Sequence, residues 1–291
     1  MSPPAPTRAL VLGGGGVAGL AWEVGVITGL HARGVALHAA DAVIGTSAGA
    51  FVGAAVASGH DPSALLAAQL APDPDEVRAT PPDALYEQWT DAFRSGAADR
   101  DAVGAALGRI ARAHPEPVSR AVRRQTVEAR LVTREWPRSL RVTAVDAETG
   151  ALHVFDAGST ATLTDAVAAS GAVPGLWPLE TIGDRSYIDG GMISTANAHL
   201  ARGFARILLI APMPEGNGAF PGAREDGAEL ARDAQVLLIE PDSESLEAIG
   251  SNPYDPDRRP PAARAGRRQG AGMADRVLAL WGRALEPCAP A

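Results

Sequence analysis

The nine residues from Ala42 to Ala50, Ala-Val-Ile-Gly-Thr-Ser-Ala-Gly-Ala, constrain this chain more than any other stretch. They read as a short apolar strand, a Gly-x-Ser-x-Gly turn and a helix starting at Ala48 and running to about Ser58. A serine at such a strand-to-helix turn stands clear of the backbone, at a helix N-terminus whose free N–H groups favour an oxyanion. Gly45 and Gly49 lack a Cβ, so the chain can turn sharply there and the helix can pack close to the strand. The pattern therefore makes Ser47 a candidate nucleophile. In a chain with 32 glycines, however, such a pattern also arises by chance, and the surrounding sequence must support it.

Upstream, the apolar run Arg8–Leu12 enters Gly13-Gly14-Gly15-Gly16, and a helical pattern follows from about Gly19 to Arg33 with Gly34 as its stop. Two strands joined by a helix should be parallel. The glycine loop and Ser47 then share one carboxyl edge of the sheet. Gly14, Gly16 and Gly19 also satisfy the dinucleotide fingerprint, which requires an acidic residue at the end of the second strand to hold a ribose. Here the nearest acid, Asp41, precedes that strand, so the nucleotide reading is disfavoured. Exposed amides offered to a ligand better account for four consecutive glycines, which are entropically costly to order.

Composition narrows the chemistry. All 26 basic residues are arginine, which excludes a Walker lysine, a Ser–Lys dyad and Schiff-base catalysis. A formal net charge of −8 disfavours nucleic acid and strongly anionic membranes as partners. The lone cysteine, Cys288, permits no intrachain disulfide, and no His/Asp/Glu cluster at ligand spacing suggests a metal or cofactor. The first residues lack a charged region followed by an apolar one, and no apolar run approaches the roughly 18 residues of a membrane span. The expectation is a cytoplasmic protein whose contact with membrane surfaces is at most transient.

One α/β domain over residues 8–285 is expected, with 1–7 and 286–291 as tails. Residues 60–141 read as a helical insertion punctuated by prolines, including helices over Pro82–Phe93 and Asp101–Ala113. This insertion is a candidate lid, and it and the Leu176-Trp177-Pro178 loop are the candidates for an acyl-chain wall. Arg120, Arg123, Arg124, Arg130, Arg134, Arg138 and Arg141 read chiefly as a solvated face paired with acids; the sharper alternative is a site for an acidic group. Further strands are expected at Leu140–Val145, Leu152–Phe155, Ser186–Ile188, Arg206–Ala211 and Gln235–Glu240. Pro212–Gly227 reads as a loop, Asn252–Gly272 as irregular, and Ala274–Leu285 as a closing helix.

A serine hydroxyl needs a base. His31, His38, His60, His114 and His153 stand beside no motif. His199 would give the chain order Ser47, Asp189, His199 of an α/β-hydrolase triad, but the elbow comes too early in the chain for that fold. Asp189 ends an apolar segment and is followed by Gly190 and Gly191, which leave its carboxylate unobstructed.

Gly-Gly-Gly-x-x-Gly at residues 14–19, Gly-x-Ser-x-Gly at 45–49 and Asp-Gly-Gly at 189–191, in that order, resemble the patatin-like phospholipases. The likeness runs from about Arg8 to Leu200 and includes Ser170-Gly171-Ala172-Val173-Pro174. It implies a three-layer α/β/α sandwich around a mainly parallel sheet. It also implies a Ser47–Asp189 dyad without histidine and an oxyanion hole from the amides of Gly14, Gly15 and Gly16. The implied substrate is a lipid or small acyl ester. The family's first motif usually carries Arg or Lys where this chain has Ala18, so a cation is missing there. An esterase using His199 and a non-catalytic acyl-binding protein are the alternatives.

Overall fold

A computed structural model describes residues 7–72, 76–95, 99–114, 118–217 and 220–281. The tail at 286–291, Cys288 and the expected end of the closing helix lie outside the described residues, as do Pro74, Pro115 and Pro117.

Strands β1 (Arg8–Leu12), β2 (Ala42–Thr46), β3 (Leu140–Asp146), β4 (Leu152–Phe155), β5 (Glu180–Ile182), β6 (Arg185–Asp189), β7 (Arg206–Ile210) and β8 (Gln235–Ile239) form one sheet. Its order is β5-β6-β3-β2-β1-β7-β8, with β4 also paired to β3. The pairs joining β3, β2, β1, β7 and β8 are parallel, whereas β4, β5 and β6 make antiparallel pairs. Apart from the half-buried edge strand β8, the parallel strands are short runs buried on both faces, as helices on each side of such a sheet require.

Alternation along β1 shows the layering. Leu10 and Leu12 pack into the core beneath helices α1 (Gly16–His31), α2 (Ala48–Ala57), α7 (Leu163–Ser170) and α10 (Arg259–Trp281). Ala9 and Val11 point to the other face, against α8 (Ala223–Leu230) and the helical turn Ala198–Ala201. The result is three layers, helix on sheet on helix. The insertion supplies α3 (Pro62–Leu70), α4 (Asp83–Ser95), α5 (Arg100–Ala113) and α6 (Arg120–Arg130), and α9 (Ser243–Ile249) precedes α10. Helices α4 and α5 close a third apolar cluster with Val145, Trp177 and Ile188.

Two sequence expectations fail instructively. Asn252–Gly272 is not irregular, because most of it belongs to the 23-residue helix α10. Pro260 and Pro261 fall in its first turn, where a missing N–H costs nothing. Its glycines form a contact surface rather than breaking the helix. A Cβ on Gly266 would stand 2.2 Å from the Trp22 carbonyl oxygen, and one on Gly25 equally close to that of Ala263. The backbones of α1 and α10 therefore touch, and every residue of α1 from Ala18 to Leu30 is buried. The second failure is the loop expected over Pro212–Gly227, which ends early because α8 begins at Ala223. Its N-terminus is held by the Glu225 carboxylate, which accepts the Gly222 N–H at 2.9 Å.

Candidate active site

The sheet register brings the two ends of the predicted motifs together. The first half of β3 pairs with β2, Thr143 opposite Thr46. Its second half pairs with β6, Ala144 opposite Asp189. Strand β4 occupies the other edge of β3 across both halves. Strands β2 and β6 therefore lie in one lane of the sheet and run toward each other. Ser47 follows the last residue of one strand, and Asp189 is the last residue of the other.

A buried polar cluster fastens this junction. The Asn197 side-chain amide donates to Thr46 Oγ1 at 3.1 Å, Thr143 Oγ1 at 3.2 Å, the Gly190 carbonyl at 3.2 Å and the Ser194 carbonyl at 3.0 Å. The two threonine hydroxyls lie 2.8 Å apart. Asn197 itself sits in the left-handed region at φ 49°, a conformation that asparagine tolerates better than most residues. Thr46, Thr143 and Asn197 thus tie together β2, β3 and the turn after β6. No motif marks these residues, and only their three-dimensional meeting reveals the role.

Ser47 adopts φ 54° and ψ −114°, a strained conformation for a non-glycine residue that is typical of a serine at an elbow. The elbow is tight because a Cβ on Gly49 would meet the Leu12 carbonyl oxygen at 2.2 Å, and one on Gly45 the Gly49 oxygen at 2.6 Å. The Ser47 N–H is occupied, donating to Ser170 Oγ at 2.8 Å. Ser170 thereby holds the elbow in place, a role beyond its place in the Ser-x-x-x-Pro stretch.

Asp189 is only 3% exposed. Its carboxylate accepts a hydrogen bond from the Gly191 N–H at 2.7 Å and shares a cavity with the Ser47 side chain. Burial pushes this carboxyl up to about 6, and the nearby Ser47 hydroxyl, the Gly191 N–H and the Arg123 charge oppose that rise without cancelling it. A carboxylate that titrates near 6 remains ionised at neutral pH and is a stronger base than one in water.

The glycine loop faces Ser47, as its position on the sheet edge predicted. Gly14, Gly15, Gly16, Ser47 and Asp189 line one cavity of about 370 Å³, together with Gly191. Gly14 departs from its expected role, since its N–H already donates to the Thr195 carbonyl at 2.7 Å. Gly15 and Gly16 are the other loop residues that line this space. Gly19 lies one turn into α1, its N–H donating to the Gly15 carbonyl at 2.8 Å, and so steadies the loop rather than facing the cavity.

The remaining cavity wall is mostly apolar, with Thr90, Thr195, Asn217 and Ser251 as its polar members. Tyr86, Trp89 and Phe93 come from α4 of the insertion, and Met192, Met213 and Tyr254 from three separate loops. The insertion thus contributes a wall, as expected, but Leu176-Trp177-Pro178 does not line this cavity. Leu176 and Trp177 pack inward, in the cluster under α4 and α5. His199 also lies elsewhere. It sits on the helical turn Ala198–Ala201 with Nδ1 3.8 Å from Asp226, and no triad forms through it. Among the described residues, no group of His, Cys, Asp and Glu could hold a metal, and no helix is long and apolar enough to cross a membrane.

The arginine-rich stretch splits in two. Arg124 pairs with Asp165 at 2.6 Å and Glu128 at 3.3 Å, and Arg134 pairs with Glu128 at 3.6 Å, as a solvated face would. Arg123 turns inward instead and is 8% exposed.

The patatin-like phospholipase family matches residues 10–202, two thirds of the chain. The chain belongs to this family. Similar solved structures include VipD from Legionella pneumophila, at 16% identity over 94% of this chain and 68% of that one, with a TM-score of 0.46. ExoU in complex with SpcU, from Pseudomonas aeruginosa, aligns at 18% identity over 96% of this chain with a TM-score of 0.41. This patatin-like chain spans 53% of that ExoU chain. The family match covers the glycine loop, the elbow and Asp189, while α8, α9 and α10 lie beyond it.

Proposed function

We propose that this patatin-like protein is a serine lipid acyl hydrolase acting through Ser47 and Asp189. The observation that carries the reading is the meeting of Ser47, at its strained elbow, with the buried Asp189 carboxylate and the glycine loop in one cavity. The Ser47 oxygen attacks an ester carbonyl while its proton passes to Asp189. The carbonyl electron pair moves onto oxygen, where the Gly15 and Gly16 amides receive the charge. Collapse of this adduct expels the alcohol, which takes the proton from Asp189, and leaves an acyl-serine. A water then attacks the acyl-serine, giving its proton to Asp189, and collapse releases the carboxylic acid as the proton returns to Ser47.

The apolar wall of Tyr86, Trp89, Phe93 and Met213 fits an acyl chain better than a polar leaving group. A net charge of −8 favours neutral lipids or soluble esters over anionic membranes. The test is hydrolysis of a p-nitrophenyl ester series from acetate to palmitate, with fluorophosphonate labelling alongside. Hydrolysis peaking at medium or long chains, with a label on Ser47, supports the reading. A folded protein that neither hydrolyses nor labels would replace it with an acyl-binding role.

A further inference from the structure

Arg123 is the most unusual charge in the molecule. It reaches inward from α6, and its Cζ lies 4.6 Å from the Trp177 ring centroid. One terminal nitrogen donates to the Gly171 carbonyl at 3.2 Å, while its buried Nε has no hydrogen-bond partner. No carboxylate lies within salt-bridge distance among the described residues. Its neighbour Arg130 provides the contrast, pairing with Glu76 at 2.5 Å. Burying a guanidinium without a counter-ion is costly, and a fold keeps such a group only where surrounding structure or a bound anion repays it.

The location indicates which anion. Arg123 lines a slot of about 30 Å³ that it shares with Gly16, Ser47, Ala48 and Gly171, and with Arg130 and Glu76, whose charges offset each other in their own pair. A slot of this size holds one water-sized group rather than a phosphate. Its walls include the nucleophile, the first residue of α2 and an amide-bearing residue of the glycine loop. The cation that usually precedes the last glycine of the first motif is absent, because position 18 is a fully buried alanine.

We propose that Arg123, carried in on α6, supplies to the oxyanion slot beside Ser47 the positive charge that position 18 lacks. This rests on the acyl-hydrolase reading and adds to it a residue from the insertion, far from the three motifs in sequence. Burial and the nearby Arg130 charge push the guanidinium down to about 10, which leaves it protonated at neutral pH.

The test compares full-length wild type with Arg123→Gln, Arg123→Met and Arg123→Lys on p-nitrophenyl butyrate and on a phosphatidylcholine, with melting temperatures measured alongside. Folded Arg123→Gln should lose about 100-fold in kcat, as when an oxyanion donor is removed, with KM within about threefold. Fluorophosphonate labelling should slow in proportion, and Arg123→Lys should recover part of the loss. The rising limb of the Arg123→Gln pH profile should move to higher pH, because the charge that helps ionise Asp189 is gone. Arg123→Gln retains a donor for Gly171, so it decides the matter if Arg123→Met does not fold. Wild-type kcat in a folded Gln or Met variant overturns the proposal. So does a KM rise confined to the phosphatidylcholine, which would assign Arg123 to a headgroup. An inert wild type defeats the hydrolase reading itself, whereas an active wild type with an equally active Arg123→Gln defeats only the role of Arg123.

Discussion

The parallel half of the sheet and its antiparallel edge supply different parts of the site by different means. On the parallel side, β1, β2, α1 and α2 are consecutive in the chain, and their backbones are pressed together through glycines. That half provides the loop amides and Ser47. On the antiparallel side, β3, β4 and β6 arrive after an insertion of about eighty residues, bringing Asp189, the apolar wall and Arg123. The nucleophile thus comes from local, close-packed structure, whereas the base and the substrate wall come from long-range assembly. Losses on the first side should appear in both folding and chemistry, and losses on the second mainly in chemistry and specificity.

The largest expected effect is at Ser47. Ser47→Ala should lower kcat by about 10⁴-fold or more and abolish fluorophosphonate labelling, with the fold retained. Asp189→Asn should cost about as much activity yet stabilise the protein at alkaline pH. A carboxyl that titrates near 6 in the native state, against 3.8 when unfolded, binds its proton more tightly when folded. Native stability from this group is full below about pH 4 and is lost as pH rises through 6. Removing the charge should therefore restore up to about 3 kcal/mol at pH 8 and nothing at pH 4, read as a pH-dependent gain in melting temperature. The same titration predicts that wild-type kcat/KM rises with pH and levels off above about 6. A flat profile from pH 4 to 8 would exclude Asp189 as the base.

A smaller effect should separate folding from chemistry. Gly266→Ala places a methyl against the Trp22 carbonyl and should destabilise by about 1–3 kcal/mol, with the folded fraction keeping wild-type kcat. Asn197→Ala removes the amide that ties β2 to the turn after β6. It should cost about 1–3 kcal/mol and also slow turnover, since it loosens both halves at their seam. The smallest effect is at the wall. Tyr86→Ala, at an exposed lining residue, should raise KM about tenfold for long-chain esters and leave acetate unaffected, a difference on the order of 1–3 kcal/mol.

The same contrast explains what the sequence made legible. The parallel half could be read residue by residue, because strand, glycine loop, helix and elbow are neighbours with strong local signals. Asp189 was recognisable only through the motif around it and its order after the other two. Thr143, Asn197 and Arg123 carry no signal of their own. Thr143 matters because two strands meet opposite it, and Arg123 because one residue of a charged helix turns inward while its neighbours stay in solvent. Helix α10 was missed for another reason: Gly and Pro normally interrupt helices, and here they sit in a first turn and at a backbone contact where those penalties vanish. Gly14 was misplaced because an amide's partner is a tertiary fact, in this case the Thr195 carbonyl.

The head-on meeting of β2 and β6 has a consequence for how such a chain can vary. Strand β3 acts as a ruler, since Thr46, the residue before Ser47, and Asp189 sit opposite successive residues of β3, Thr143 and Ala144, about 3.3 Å apart along the strand. Loops and helices elsewhere can lengthen without disturbing that spacing, and the large insertion between α2 and β3 is an instance. A single residue gained or lost within β3 would separate the pair or force it to collide, although β3 carries no reacting group. The stretch least tolerant of insertion is therefore one that a search for chemical motifs would pass over.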